Sequence, residues 1–258
     1  TLDRSSAASD VYKRQDPFLF GYFQNTVDFN PEAGTFNLTA GVSGSDFLLK
    51  LNNDGTFNYA LLMSSFYGNY MTIAPDNNIY FTGLFWGTVD FNPGVGVNNL
   101  TAAGFDADCF VLKLNNSGIY QWAGKISGNN SEQGTTLDYD ATTSSIVVGG
   151  FFEGTIDTDP GGGIHNVVSA GYVDAFVVKL NASTGAFIWG NGFGGLGYQQ
   201  IGSLKINASG KIHMAGVFEQ TSDFDPSVAT YNLTSNGYTD IFKPVSYTHL
   251  TLPTSDLV

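Results

Sequence analysis

Short runs of apolar and polar residues, broken by Asn, Asp and Gly, fill the chain from end to end. Ile79-Tyr80-Phe81-Thr82-Gly83 matches Ile146 to Gly150 and Ile212 to Gly216. Phe110-Val111-Leu112-Lys113-Leu114 matches Phe47 to Leu51 and Phe176 to Leu180. Tyr120-Gln121-Trp122-Ala123 matches Phe57 to Ala60 and Phe187 to Gly190, and Met71-Thr72-Ile73 matches Leu204-Lys205-Ile206. The turns between these runs read "PDNN", "NASG", "NNDG", "NNSG" and "NASTG". β-Branched and aromatic residues bounded by such turns predict strands and hairpins. No stretch sustains the 3.6-residue period of a helix.

The runs belong to a repeat. "GYFQNTVDFNPEAG", "GLFWGTVDFNPGVG", "GFFEGTIDTDPGGG" and "GVFEQTSDFDPSVA" begin at Gly21, Gly83, Gly150 and Gly216, separated by 62, 67 and 66 residues. Each repeat offers four strands and one long loop between the second and third. Four antiparallel strands per repeat is the unit of a β-propeller blade, which buries its faces by stacking on its neighbours. The expected fold is therefore all-β: a partial β-propeller, an open arc of about three to four four-stranded antiparallel blades, near 16–67, 68–128, 129–197 and 198–243. A β-solenoid is the alternative. Its coils are usually shorter and lack this hairpin chemistry.

"IYFTGLFWGTVDFNPG", "DCFVLKLNNSG" and "YQWAGKISG" resemble the bacterial β-propeller repeats often called SBBP repeats, in their long "TVDFDPG" form. The resemblance runs through 16–243. It implies a propeller, and an extracellular or cell-surface address in proteins of Bacteroidota that often end in a type IX secretion sorting domain. It implies no defined activity.

The two ends read differently. "SSAASDVYKRQ" (Ser5 to Gln15) and "VSYTHLTLPT" (Val245 to Thr254) can be encoded by one DNA element read in opposite orientations, resembling a translated sequencing adapter. Residues 1–15 and 244–258 are set apart as non-native on this ground. The expectation for 16–243 is an internal fragment whose parent supplies further blades.

The net charge of −13 disfavours nucleic acid and anionic lipid, which need Lys/Arg patches. It leaves cations, neutral glycans and proteins as partners. No apolar run is long enough to insert in a membrane. Cys109 is the single cysteine, so neither an internal disulfide nor a multi-cysteine zinc site is available.

The candidate site residues lie in the repeated loop: Asp28 with Asn30, Asp90 with Asn92, Asp157 with Asp159, and Asp223 with Asp225. Oxygen-bearing side chains two residues apart before a turn suit Ca²⁺, the one cofactor considered. No copy has a full acidic series or a closing bidentate Glu. The competing reading is an Asx-turn, with the Asp oxygen accepting backbone N–H bonds.

Other features weigh less. Asp108, Asp174 and Asp240, with Ser45 in the first copy, precede the third strand, and Lys50, Lys113 and Lys179 follow its Phe by three residues. A structural ion pair is the expectation for these lysines. Trp122, Trp189 and Tyr59 recur at one strand position and read as core between blades. Trp86 has no aromatic equivalent and reads as an exposed contact. "GFGGLG" (Gly192 to Gly197) fits a dinucleotide pattern, but no helix follows to cradle a phosphate. His165 and His213 lie in different elements, and no catalytic residue stands out. Two functional classes follow. One is a non-catalytic extracellular module for binding, adhesion or spacing, with a protein or glycan ligand. The other is part of a propeller enzyme whose site lies in the central channel of a longer protein.

Overall fold

The computed structural model describes residues 16–63, 66–225 and 230–242. The two ends set apart in the sequence lie outside them. The described chain is all-β, without a helix, and its sheets are antiparallel; the isolated bridge Val173–Tyr198 is parallel. Parallel coils of a solenoid are absent from the described residues. Contacts divide the chain into two units, 1–66 and 67–258.

In the first unit, β1 (Phe18–Phe23), β4 (Ser45–Leu51) and β5 (Phe57–Leu62) form one sheet, and β2 (Thr26–Asp28) pairs with β3 (Asn37–Thr39) as a hairpin. Phe23, Phe29 and Ala60 are its buried core, with Phe47 packed against them.

The second unit holds two four-stranded blades and part of a third. The first comprises β6 (Tyr67–Ile73), β7 (Ile79–Phe85), β10 (Asp108–Leu114) and β11 (Tyr120–Gly128), with a hairpin of β8 (Thr88–Asp90) and β9 (Asn99–Thr101). The second comprises β12 (Glu132–Asp140), β13 (Ser145–Phe152), β16 (Asp174–Asn181) and β17 (Phe187–Gly195), with β14 (Thr155–Asp157) and β15 (Asn166–Val168) as its hairpin. The third comprises β18 (Gln199–Ile206), β19 (Ile212–Phe218) and β22 (Asp240–Phe242), with β20 (Thr221–Asp223) and β21 (Asn232–Thr234).

The middle blade shows why the strands lack a polar face. On β13, Ile146 and Val148 join the core shared with the blade before it, and Val147 joins the core shared with the blade after it. On β16, Phe176, Val178 and Leu180 face one way and Ala175 and Val177 the other. The period-2 alternation is thus between two buried faces, and each core Phe, Leu or Ile contributes about 1.5–3 kcal/mol.

The long loop of each repeat is itself structured. In the middle and last blades its first strand crosses to the previous blade. β14 pairs with β11 through Ser127–Asp157 and Gly128–Ile156, and β20 pairs with β17 through Gly194–Asp223 and Gly195–Ser222. Each hairpin straps its own blade to the outer strand of the preceding one. A β-carbon at Gly128 would overlap the Thr155 carbonyl, and one at Gly195 the Thr221 carbonyl. This explains glycine where the strap passes.

The glycine that opens each repeat has a second cause. The innermost strand carries a β-bulge: at Gly68–Tyr70 in β6, Gly134–Thr136 in β12 and Ile201–Ser203 in β18. The bulge turns a carbonyl toward the neighbouring strand. A β-carbon at Gly83, Gly150 or Gly216 would overlap the carbonyl of Tyr67, Gln133 or Gln200, and would press on Phe110, Phe176 or Phe242. At Gly21 it would meet only the Phe47 ring, at 3.1 Å. Gly150→Ala should therefore cost about 1–3 kcal/mol in a denaturant melt, and Gly21→Ala clearly less. Equal effects would mean that the bulge carbonyl does not select the glycine.

Candidate functional site

The repeated acidic loop resolves into a turn of one design. Asp28 Oδ1 accepts the N–H groups of Asn30 at 3.0 Å and Phe36 at 2.8 Å. Asp90 Oδ1 accepts those of Asn92 and Asn98 at 3.0 and 2.8 Å. Asp157 Oδ1 takes Asp159 and His165 at 3.0 and 2.9 Å, and Asp223 Oδ1 takes Asp225 and Tyr231 at 2.9 and 2.8 Å. The second residue makes the next turn: Asn30, Asn92 and Asp159 accept the N–H of Glu32, Gly94 and Gly161. At Asp28 these N–H bonds, from Phe36 first and Asn30 second, hold the carboxyl below its ordinary range.

The aromatic of "DFN" anchors the turn. Phe29 lies 5.1 Å from Phe23 and 4.7 Å from Phe47, ring centre to ring centre. Phe91 sits likewise on Phe85 and Phe110, at 5.2 and 5.0 Å, and Phe224 on Phe218 and Phe242, at 5.4 and 4.8 Å. In the third copy Thr158 takes this place, buried, and its hydroxyl bonds His165 Nδ1 at 2.9 Å.

A calcium loop needs six to eight oxygens turned to one point. Here one oxygen of each leading Asp has backbone donors converging on it, the arrangement of an Asx-turn. Among the described residues no group of three His, Cys, Asp or Glu is placed to hold a metal. The Asx-turn accounts for one oxygen of each leading Asp without a cation. Asp90→Ala strands two N–H groups and should cost about 1–3 kcal/mol. The expected melting midpoint of the wild type is the same in calcium and in chelator; a rise in calcium that Asp90→Asn/Asp157→Asn/Asp223→Asn removes would restore the cation reading.

The aspartates before the third strand pin a second loop. Asp108 Oδ2 accepts the Ala103 N–H at 2.9 Å, Asp174 Oδ2 that of Ala170 at 2.7 Å, and Asp240 Oδ2 that of Asn236 at 2.6 Å. Ser45 Oγ does the same for Gly41 at 3.1 Å. The lysines have varied partners: Lys50 pairs with Asp16 at 3.0 Å and Lys179 with Asp140 at 2.7 Å, but Lys113 donates to the Ala182 carbonyl at 3.0 Å. Burial alone pushes the Asp140 carboxyl up, yet hydrogen bonds from Lys179, Thr142 and Thr143 hold it well below the usual range.

Trp122 and Trp189 pack against the inter-blade cores, as their recurrence suggested. Trp86 is exposed and meets Tyr67 edge-on at 5.4 Å. "GFGGLG" ends β17, and no helix follows. Its glycines are steric: a β-carbon at Gly194 would overlap the Asp174 carboxylate. His213 meets Asn207 at 3.3 Å, far in sequence and role from His165. Cys109 is fully buried, and burial pushes its thiol up to about 12, so it is no nucleophile.

One cluster was not foreseen. Glu132 at the start of β12 and Asp108 on β10 are fully buried, and Asp108 Oδ1 and Glu132 Oε1 have no hydrogen-bond partner. Burial, then the Asp108 charge, pushes Glu132 up to about 9, and burial also raises Asp108. Lys125 is 3.4 Å from Asp108 Oδ2. With its carboxyl pushed up to about 9, Glu132 is protonated at neutral pH. In the next repeat Gln199 stands at this place. Its amide donates to Ser222 Oγ at 2.8 Å and the Glu219 carbonyl at 3.2 Å. The Gly195 N–H donates to Gln199 Oε1 as the Gly128 N–H does to Glu132 Oε2. Protonated Glu132 is thus a stand-in for glutamine.

A carboxyl raised on folding stabilises fully below its ordinary value, 4.5 for glutamate, and that stabilisation is lost as pH rises through about 9. The melting midpoint should fall from about pH 5 to about pH 9. Glu132→Gln should flatten the slope and raise the midpoint at the alkaline end. An unchanged slope would show that the pair holds no proton.

The chain is similar to a WD repeat-containing protein. That protein, an uncharacterized one of Acanthamoeba polyphaga mimivirus, is 24% identical over 220 residues, which cover 81% of this chain and 15% of the relative. No family model matches. WD repeats are propeller-blade repeats, in keeping with the blades described above. The chain has no Trp-Asp dipeptide.

Proposed function

We propose that the chain is a non-catalytic binding region of a larger extracellular or cell-surface bacterial protein, its repeats presenting loops to a protein or glycan ligand. The SBBP-type pattern supports the address. One observation supports binding. Each loop pinned by the aspartate before the third strand, or by Ser45, exposes one large apolar side chain. Phe105 is 102% exposed, Tyr172 68% and Tyr238 87%, with Val42 in the first copy at 110%. The pinning carboxylate, or the Ser45 hydroxyl in the first copy, lies two or three residues further on, so each side chain projects from a pinned backbone. An exposed aromatic recurring on a rigid scaffold has no packing role and suits recognition.

This chemistry favours a neutral or cationic partner over an anionic one, given the charge of −13. The test is a glycan array and a panel of purified surface proteins probed with the wild type and with Phe105→Ser/Tyr172→Ser/Tyr238→Ser. The triple variant should keep its melting midpoint within about 1 kcal/mol of stability and lose at least tenfold in affinity for whatever the wild type binds. Binding that survives the triple variant would place recognition elsewhere; Trp86 and Tyr67 would be the next to change.

A further inference from the structure

The loop between β21 and β22 carries a dipeptide that its counterparts lack. Asn236-Gly237 stands where the other two pinned loops of the second unit have Ala103-Gly104 and Ala170-Gly171. In all three the pinning donor is a main-chain N–H, that of Asn236 reaching Asp240 Oδ2 at 2.6 Å. The Asn236 side chain is therefore not needed for the pin. Asn236 and Gly237 are both exposed. Among the described residues neither the Asn236 carboxamide nor the Gly237 N–H has a hydrogen-bond partner. Gly237 has φ of +122°, and a β-carbon there would meet nothing within 4 Å. No side chain, its own or a neighbour's, shields that nitrogen.

This is a reactive pair. Asparagine is chemically labile, because the next residue's nitrogen can close a five-membered ring on the side-chain carbon. Glycine hinders that closure least. The chain holds a second Asn-Gly pair in the opposite setting. Asn191 and Gly192 lie in β17, in register with Val177 and Phe176 of β16. Asn191 Nδ2 is buried. The ladder holds this backbone extended, so ring closure there waits for local opening.

We propose that Asn236-Gly237 is a site of spontaneous deamidation, with water as the only co-reactant, and that the isoaspartate product releases the Tyr238 loop. The Gly237 nitrogen bonds to Asn236 Cγ and gives up its proton. The Cγ–Nδ2 bond breaks and ammonia leaves. Water then opens the succinimide. Attack at the side-chain carbonyl leaves aspartate; attack at the main-chain carbonyl leaves isoaspartate, whose backbone runs through Cβ and Cγ. Either product adds a carboxylate to a loop already pinned by one, and like charges repel. Isoaspartate also adds one main-chain atom to the ring closed by the Asn236 N–H and the Asp240 carboxylate. That a ligand is then held less well rests on the reading of the aromatic loops given above. The conversion itself does not, and it is measured without a ligand.

The full chain is aged in mildly alkaline buffer and its tryptic fragments are followed by mass. Cleavage after Lys179, Lys205, Lys211 and Lys243 puts the two pairs on different fragments. Asn236 should turn to acid at least about tenfold faster than Asn191, which waits for its ladder to open. In urea, where neither is held, the two rates should come together. Equal rates in the folded chain overturn the proposal. So does a ratio that persists in urea, since flanking residues would then be its cause. The isoaspartate form is separated by anion exchange on its added charge. Hydrogen exchange at the 236 amide, slow in the fresh protein, should be fast in that form. An isoaspartate form that keeps the slow amide overturns the release of the loop.

Discussion

Two backbone N–H groups converging on one aspartate oxygen set the course of every long connection in this chain. At Asp90 the donors come from Asn92 and Asn98, so one carboxylate closes the hairpin across its tip. The neighbouring Phe91 then fixes the closed loop to Phe85 and Phe110. Only a hairpin so stiffened keeps a three-residue strand in place. In the later blades that strand reaches the outer strand of the blade before it. Local turn chemistry is thus converted into a contact between blades. An isolated three-residue strand would have too little ladder to persist in water.

The four main strands of each blade were legible because their signals are local: turn residues at hairpin tips and β-branched runs between them. The straps were not. Thr155-Ile156-Asp157 is too short to show alternation, and its partner, Ser127-Gly128, lies in another repeat. The oxygen-rich loop was half legible. Asp and Asn at that spacing serve a cation or a turn with the same atoms, and only the direction of the N–H groups separates the two. Glu132 left a trace that repeat alignment exposes, an acid where the following repeat has the matching amide, Gln199. Phe105, Tyr172 and Tyr238 left one as well, an aromatic shortly before each pinning aspartate.

The buried polar groups follow one economy. Asp174 spends one oxygen on the Ala170 N–H and lies against Gly194, where no side chain fits. Asp138 serves the blade after its own, accepting the Ile206 N–H at 2.8 Å, and reaches Thr72 in the blade before it at 3.4 Å. Thr136 likewise receives the Leu204 N–H at 3.1 Å. Such bonds fix the rotation of one innermost strand against the next. Apolar cores alone would let them slide.

The straps also bear on how such an array grows or shrinks. In the later blades the repeat written in the sequence and the piece that folds together are out of phase, since the β14–β15 and β20–β21 hairpins pair with the outer strand of the blade before them. A duplication cut at the sequence boundary would join a strap to an outer strand it had not met before. The residues that must agree, such as Gly128 with Thr155 and Gly195 with Thr221, belong to different copies. Gain or loss of a repeat is therefore neutral only between copies that share the strap and its landing strand. Recombination should homogenise those two segments first and leave the loop tips free to drift.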